Sequence, residues 1–264
     1  MKTFSEVLGT LQTDANSATL DLTPDWLQGR TAYGGWQAAL AVLAMRQVIG
    51  PEIPLRSLQA NFVGPVGVGK ITAQAELLRR GKSAAQLEAR ILVDGQTAFT
   101  AVGIFALSRV SQLALAPKSP PATRAVDTLE PRPFVDGVRP SFVKHFDTRW
   151  ALGSYPFSGA AHSAAQIFAR LRDEEIDSEA HLVMMCDVIP PSAIAMFKTP
   201  AMLSSMNWAL ELITPLTAET SAGWLRFDAE MTAAADGYAW ENTSIWGCNG
   251  DLIALSRQCV ALFG

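Results

Sequence analysis

Residues Gly34 to Ile49 read GGWQAALAVLAMRQVI, and no Gly or Pro interrupts the run until Gly50-Pro51. Ala and Leu dominate, so the spacing predicts a helix that is apolar nearly all round. Such a helix has no polar face to give to water and must be enclosed. A bilayer is not what encloses it, because Trp36 to Met45 falls well short of the roughly 20 apolar residues a spanning helix needs. The rest of the chain has to wrap around it, and no membrane anchor is expected.

The following residues supply the wrapping. Leu55 to Val63, Lys70 to Arg79, Ser83 to Val93 and Thr97 to Leu107 have strand character with turn signals between them. Asp94-Gly95 marks a hairpin, since it supplies the positive φ values of a tight turn. A short helix at Phe4 to Leu8 and a strand around Ala18 to Leu22, ended by Pro24, come before the enclosed helix. A sheet curling around one central helix satisfies this order.

Leu113 to Phe134 break the pattern with five prolines and no apolar period, which reads as a linker. After it the plan recurs. Strands are expected at Phe142 to Trp150 and Ala165 to Arg172, then a helix starting at Asp177-Ser178 with Glu179 in its first turn and stopped or kinked at Pro190-Pro191. Further strands fall near Met202 to Ile213, Gly223 to Thr232, Gly237 to Trp246 and Leu252 to Phe263. Setting Phe62 to Val66 against Leu212 to Leu216 also brings Asp94-Gly95 near register with Asn249-Gly250. The expected fold class is α+β with a duplicated helix-plus-meander: residues 1–112, a Pro-rich linker at 113–135, and residues 136–264.

The halves differ where chemistry would sit. The first helix has no carboxylate, whereas the second carries Asp187 in HLVMMCDVIPP, flanked by Val183, Met184, Met185, Cys186, Val188 and Ile189. Burying an ionised carboxylate is costly unless it is partnered or its pKa rises. In the last strand Gly103 of the first half stands opposite Gln258 of the second, and Ser204-Ser205 begin the strand after the second helix.

Composition removes several alternatives. A net charge of −4 and no Lys/Arg run longer than Arg79-Arg80 leave no basic field for nucleic acid. The N-terminus lacks the apolar core of a secretory signal, so a cytoplasmic location is expected. Cys186, Cys248 and Cys259 have no metal-ligand spacing and read as core or near-core thiols, and no histidine motif offers a cysteine nucleophile its partner. Neither metal nor organic cofactor is implied.

In order along the chain, Tyr33-Gly34-Gly35 opening the first helix, LLRRGKSAAQLEARILVDG (Leu77 to Gly95), and Gly223-Trp224-Leu225 with the terminal Gly250 to Ala254 resemble the double-hotdog acyl-CoA thioesterases of the bacterial thioesterase II type. The resemblance covers nearly the whole chain and implies two tandem hotdog repeats, each a curved antiparallel sheet around a helix. It implies a catalytic water held by Asp187, Ser205 and Gln258, the family's Asp, hydroxyl and amide. Two departures stand out: Asn207-Trp208 replace a frequent Asp-His pair, and the usual Arg-Gly opening the penultimate strand is replaced around Tyr238-Ala239.

On this reading a partly desolvated Asp187 is the general base, and the N–H groups of Gly34 and Gly35 are candidate oxyanion donors. Tyr33, Gly34, Gly35, Arg79, Arg80 and Lys82 are the candidate substrate-binding residues, the last three either meeting coenzyme A phosphates or forming a solvated hairpin tip. The expected substrate is a fatty acyl-CoA. Competing readings are a non-catalytic acyl-CoA binding or sensing protein and a hotdog hydratase, which would need an Asp/His dyad absent here. Pairing of whole chains into a homo-oligomer, a dimer or higher, is expected.

Overall fold

A computed structural model describes residues 1–172, 178–214 and 223–263. The chain opens with α1 (Phe4–Leu8), β1 (Gln12–Asp14), β2 (Ser17–Leu22) and the small pair β3 (Leu27–Gln28) and β4 (Thr31–Ala32). The enclosed helix is α2 (Gly34–Val48), on which only Gln47 is exposed. The meander β5 (Leu55–Phe62), β6 (Gly69–Arg80), β7 (Ala84–Val93) and β8 (Gln96–Ala106) follows, and α2 packs against β2, β6, β7 and β8. Asp94 and Gly95 turn β7 into β8 with φ of 51° and 77°, the left-handed pair that matches the twist of a hairpin.

The second half contributes β9 (Phe146–Leu152), β10 (Ala165–Leu171), α3 (Glu179–Met185), β11 (Met202–Leu212), β12 (Leu225–Ala235), β13 (Tyr238–Trp246) and β14 (Leu252–Phe263). All the large strands join one 12-stranded sheet in the order β1-β2-β6-β7-β8-β5-β11-β14-β13-β12-β10-β9. The order is the same read outward from either side of the β5–β11 seam, so the two halves are related by a pseudo-two-fold axis. Strands β5 and β11 pair antiparallel from Asn207↔Asn61 to Glu211↔Ser57, which makes the sheet continuous across the halves. The helices α2 and α3 pack on each other inside it.

Two elements differ from the sequence reading. The strand expected from Phe142 begins only at Phe146, and Ser141–His145 form a 3-10 turn instead. Tertiary contacts hold that segment off the sheet: Phe142 stacks on Tyr33 at 4.2 Å between ring centroids, and His145 stacks on Trp26 at 3.8 Å with its Nε2 3.1 Å from Asp25 Oδ2. Burial lowers the His145 pKa to about 4, so this ring is neutral packing material. The second difference is that α3 stops at Met185, leaving Asp187 in the turn after the helix. Pro190 and Pro191 have no N–H to give the carbonyls of Cys186 and Asp187, so the helix cannot continue through them. Ser178 accepts the His181 N–H at the start of α3, while Asp177 lies outside the described residues.

The segment between the halves is tied to the second one by arginines. Arg226 donates to the Pro121 carbonyl at 2.8 Å, Arg149 to that of Val126 at 2.8 Å, and Arg124 to that of Ala151 at 3.1 Å. Cys186 is buried and Cys259 half-buried, but Cys248 is exposed at the β13–β14 turn, contrary to its reading as a near-core thiol. Among the described residues no helix is long and apolar enough to cross a membrane.

Candidate active site

Three polar side chains far apart in sequence meet where the end of α3 touches the start of α2. Gln258 Nε2 donates to Asp187 Oδ1 at 2.7 Å, and Ser205 Oγ donates to Gln258 Oε1 at 3.0 Å. The pattern fixes the orientation of the amide, because turning it over would set its carbonyl oxygen against the carboxylate. A shift in register between Ser205 and Asn207 leaves Met206 as an extra residue in β11. Bulges of this kind re-aim the adjacent side chain, and here that side chain is Ser205.

All three residues are half-buried, so solvent can reach them. Protein nevertheless surrounds the Asp187 carboxyl closely enough that burial, opposed by the Gln258 and Gly35 N–H donors and reinforced by nearby Glu241, raises its pKa to about 7. The N-terminal turn of α2 forms the floor of the site. A Cβ on Gly34 would stand 2.5 Å from Asp187 Oδ2 and 3.0 Å from the Phe62 ring, so glycine there lets the carboxylate approach the helix end. The backbone of Gly35 faces Asp187 and favours its charged form, which assigns that N–H to the carboxylate.

The other sequence candidates fall elsewhere. Tyr33 is fully buried, with its hydroxyl donating to the Met184 carbonyl at 2.6 Å and its ring against Phe142. It is a clamp beneath the site, pinning the turn that carries Asp187 to the start of α2, and has no free surface for a ligand. Tyr33→Phe is expected to cost about 1–3 kcal/mol by leaving a buried carbonyl unpaired, read as a lowered midpoint in urea. Arg79, Arg80 and Lys82 are exposed around the β6–β7 turn. Arg79 lines up through Gln86, Ile104 and Ser57 with Glu211, six residues along β11 from Ser205 and therefore about 20 Å away along the strand direction. The hairpin tip belongs to the opposite end of the sheet, and the structure does not bring these cations to the site.

The pseudo-symmetric position in the first half is closed. Leu58 pairs with Gly103 and Gly103 with Leu87, where the second half pairs Trp208 with Gln258 and Gln258 with Glu241. Met45 fills the space over Gly103, where a Cβ would meet its sulfur at 2.6 Å. Arg46 closes onto Glu179 with bonds of 2.8 and 2.7 Å, joining the end of α2 to the start of α3. One of two equivalent niches is plugged by packing and an ion pair; the other holds the polar trio.

The two halves of this arrangement match separate models of one family. Residues 22–106 match the acyl-CoA thioesterase N-terminal domain and residues 121–262 the acyl-CoA thioesterase C-terminal domain. The chain is a member of the acyl-CoA thioesterase family. It is thus a thioester hydrolase built as a double hotdog. No curated protein matches it in sequence.

Among solved structures, a conserved hot dog fold protein of unknown function from Alicyclobacillus acidocaldarius superposes with a TM-score of 0.88 at 19% identity, covering 100% of this chain and 99% of that one. The acyl-CoA thioesterase II TesB2 of Mycobacterium marinum gives 0.78 at 18% identity with 96% of each chain covered. A tesB protein of Mycobacterium avium subspecies paratuberculosis gives 0.82 at 15% identity with 100% of each covered. At these identities the likeness is one of fold.

Two residues beside the trio were missed in the sequence. Phe62, at the end of β5, walls the Gly34 side, and nothing local distinguishes it from a core phenylalanine. Glu241 had a readable signal: it shares the alternate positions of β13 with Ala239, Thr243 and Ile245, all buried, which puts an acid on the inner face of this thioesterase.

Proposed function

We propose that the protein hydrolyses a fatty acyl-CoA to the free acid and coenzyme A by direct attack of a water held by Asp187, Ser205 and Gln258. The observation that carries this reading is the Ser205–Gln258–Asp187 hydrogen-bond chain at the N-terminus of α2. Ser205 spends its proton on Gln258 and Gln258 its amide on Asp187 Oδ1, which leaves the Ser205 lone pairs and Asp187 Oδ2 as acceptors. A water donating to both has a lone pair left to aim at the thioester carbon.

Bond formation to that carbon transfers a water proton to Asp187, whose raised basicity suits the task. Charge gathers on the carbonyl oxygen. The first N–H groups of α2 have no intrahelical partners, and that of Gly34 is the donor this reading assigns to the oxyanion. Collapse breaks the C–S bond, and the proton held by Asp187 goes to the departing thiolate. No group of the chain forms a covalent intermediate, and the two repeats, 1–112 and 136–264, share one working site.

Incubating the purified protein with a panel of acyl-CoAs and a thiol reagent tests the reading. Thiol release matched by free acid supports it; tight binding of acyl-CoA without release would replace it with a sensing role, for which the absence of the Asp-His pair at Asn207-Trp208 is the motive. Asn207 instead accepts the Cys259 N–H, and Trp208 is buried with its indole N–H on Ser256. The pH dependence gives a second check. The base works deprotonated, so kcat/KM is expected to rise with pH through a midpoint near the Asp187 value of about 7 and to level off above it. A rate flat from pH 5 to 8 would remove Asp187 as the base.

A further inference from the structure

We propose that Glu241 is a fourth polar member of this site, a positioning residue that acts on the reaction through Gln258 and Asp187. The proposal rests on the hydrolytic reading of the trio. Glu241 on β13 stands directly opposite Gln258 on β14. Directly opposed residues point to one face with Cβ atoms about 5 Å apart, so the glutamate lies against the amide that holds Asp187. It is 5% exposed. Its carboxylate accepts the backbone N–H of Ser192, in the short turn after Pro190-Pro191, which binds that turn to the sheet.

A buried acid is costly, and the first repeat shows what the fold does without one. Leu87 occupies the equivalent place opposite Gly103 and is fully buried. Acid and amide stand directly opposed across β13 and β14, where the equivalent place on β7 and β8 sets Leu87 against Gly103. The titratable groups that face Asp187 are Tyr33 from just before α2, Cys186 from its own turn and Glu241 from the sheet. Burial raises the pKa of the first two, so neither carries charge near neutrality. Burial also raises that of Glu241, opposed by the bond it accepts from Ser192.

Two carboxyls in one desolvated space lose their protons in two steps that belong to the pair, the first ionisation making the second harder. Glu241 thus keeps Asp187 proton-avid, as a base must be, while its anchoring to Ser192 and its packing on Gln258 hold the amide in line.

The test compares kcat/KM against pH for wild type, Glu241→Gln and Glu241→Asp. The glutamine keeps the shape and removes the charge, so the acid limb is expected to move to lower pH. The aspartate restores the charge and is expected to return the limb toward the wild-type position. An unmoved limb in Glu241→Gln overturns the proposal, as does an equal loss of rate in both variants at unchanged pH dependence. Where a variant does not fold, the wild type decides: with side-chain carboxyl 13C labels on Asp and Glu, Asp187 and Glu241 are expected to titrate with shared inflections. Two independent single-step curves overturn it. This titration needs no substrate, so absence of turnover would remove the hydrolytic reading without touching the coupling.

Discussion

Asp187→Asn is expected to lower kcat for thioester hydrolysis by about 10²–10⁴, the contribution of a positioned general base, while the protein stays folded. Asparagine has the same shape, and its amide oxygen still accepts the Gln258 Nε2–H that aspartate accepts at 2.7 Å. What disappears is the only acceptor in the trio that can keep a proton taken from water. The same substitution has a stability signature of opposite sign. The folded carboxyl holds its proton up to a pH of about 7, whereas the unfolded one releases it near the ordinary aspartate value of 3.8. Between these values the native state binds more protons than the unfolded state, so stability falls as pH rises and the cost is complete above the folded pKa. A separation of about three units is worth roughly 4 kcal/mol.

Asparagine has nothing to ionise. Denaturation of both proteins at pH 4 and pH 8 should therefore show the variant gaining on wild type by up to about 4 kcal/mol across that range. Any fixed difference in hydrogen bonding cancels in the comparison. Retained turnover, or a stability gap that ignores pH, would mean that the carboxyl neither works as the base nor sits in the environment described.

The enclosed helix, the two meanders and their repetition were legible because periodicity and turn chemistry act locally. Asp94-Gly95 set its hairpin unaided, and Asp187 stood out as an acid in an apolar run. Places where tertiary contacts decide were not legible. His145 and Phe142 leave the sheet to stack on Trp26 and Tyr33, residues more than 100 positions earlier, and no window of sequence contains both partners. Tyr33 reads as a site residue because it precedes two glycines. Only the packing of α3 on α2 shows that its hydroxyl is spent on Met184. Arg79, Arg80 and Lys82 are a different case, since charge suggests a phosphate partner but register alone tells which end of the sheet they occupy. The inner face of β13 was readable by alternation, yet the value of an acid there depends on Gln258 being its neighbour across the strands.

Gly34→Ala and Gly35→Ala should part company, although they are adjacent and chemically identical. At Gly34 the new methyl would stand 2.5 Å from Asp187 Oδ2 and 3.0 Å from the Phe62 ring, both side chains that can give way. Helix propensity favours alanine by about 1 kcal/mol and offsets part of the crowding, so the fold is expected to survive with little change in Tm. The carboxylate, however, has to retreat, and a displacement on the order of 1 Å from the reacting geometry costs about 10² in rate. At Gly35 the methyl meets the Met184 carbonyl oxygen, which is backbone, and the Tyr33 hydroxyl at 2.8 Å. Neither can move without separating α3 from α2 at a contact that helps place Asp187, so overpacking should cost about 1–3 kcal/mol of stability along with the activity. Thermal melts with initial rates on an acyl-CoA distinguish the two: activity lost on an intact fold at Gly34, fold and activity lost together at Gly35. Full turnover in Gly34→Ala would show that hydrolysis does not depend on the carboxylate lying against the start of α2, and the assignment of both the base and the oxyanion donor would fall with it.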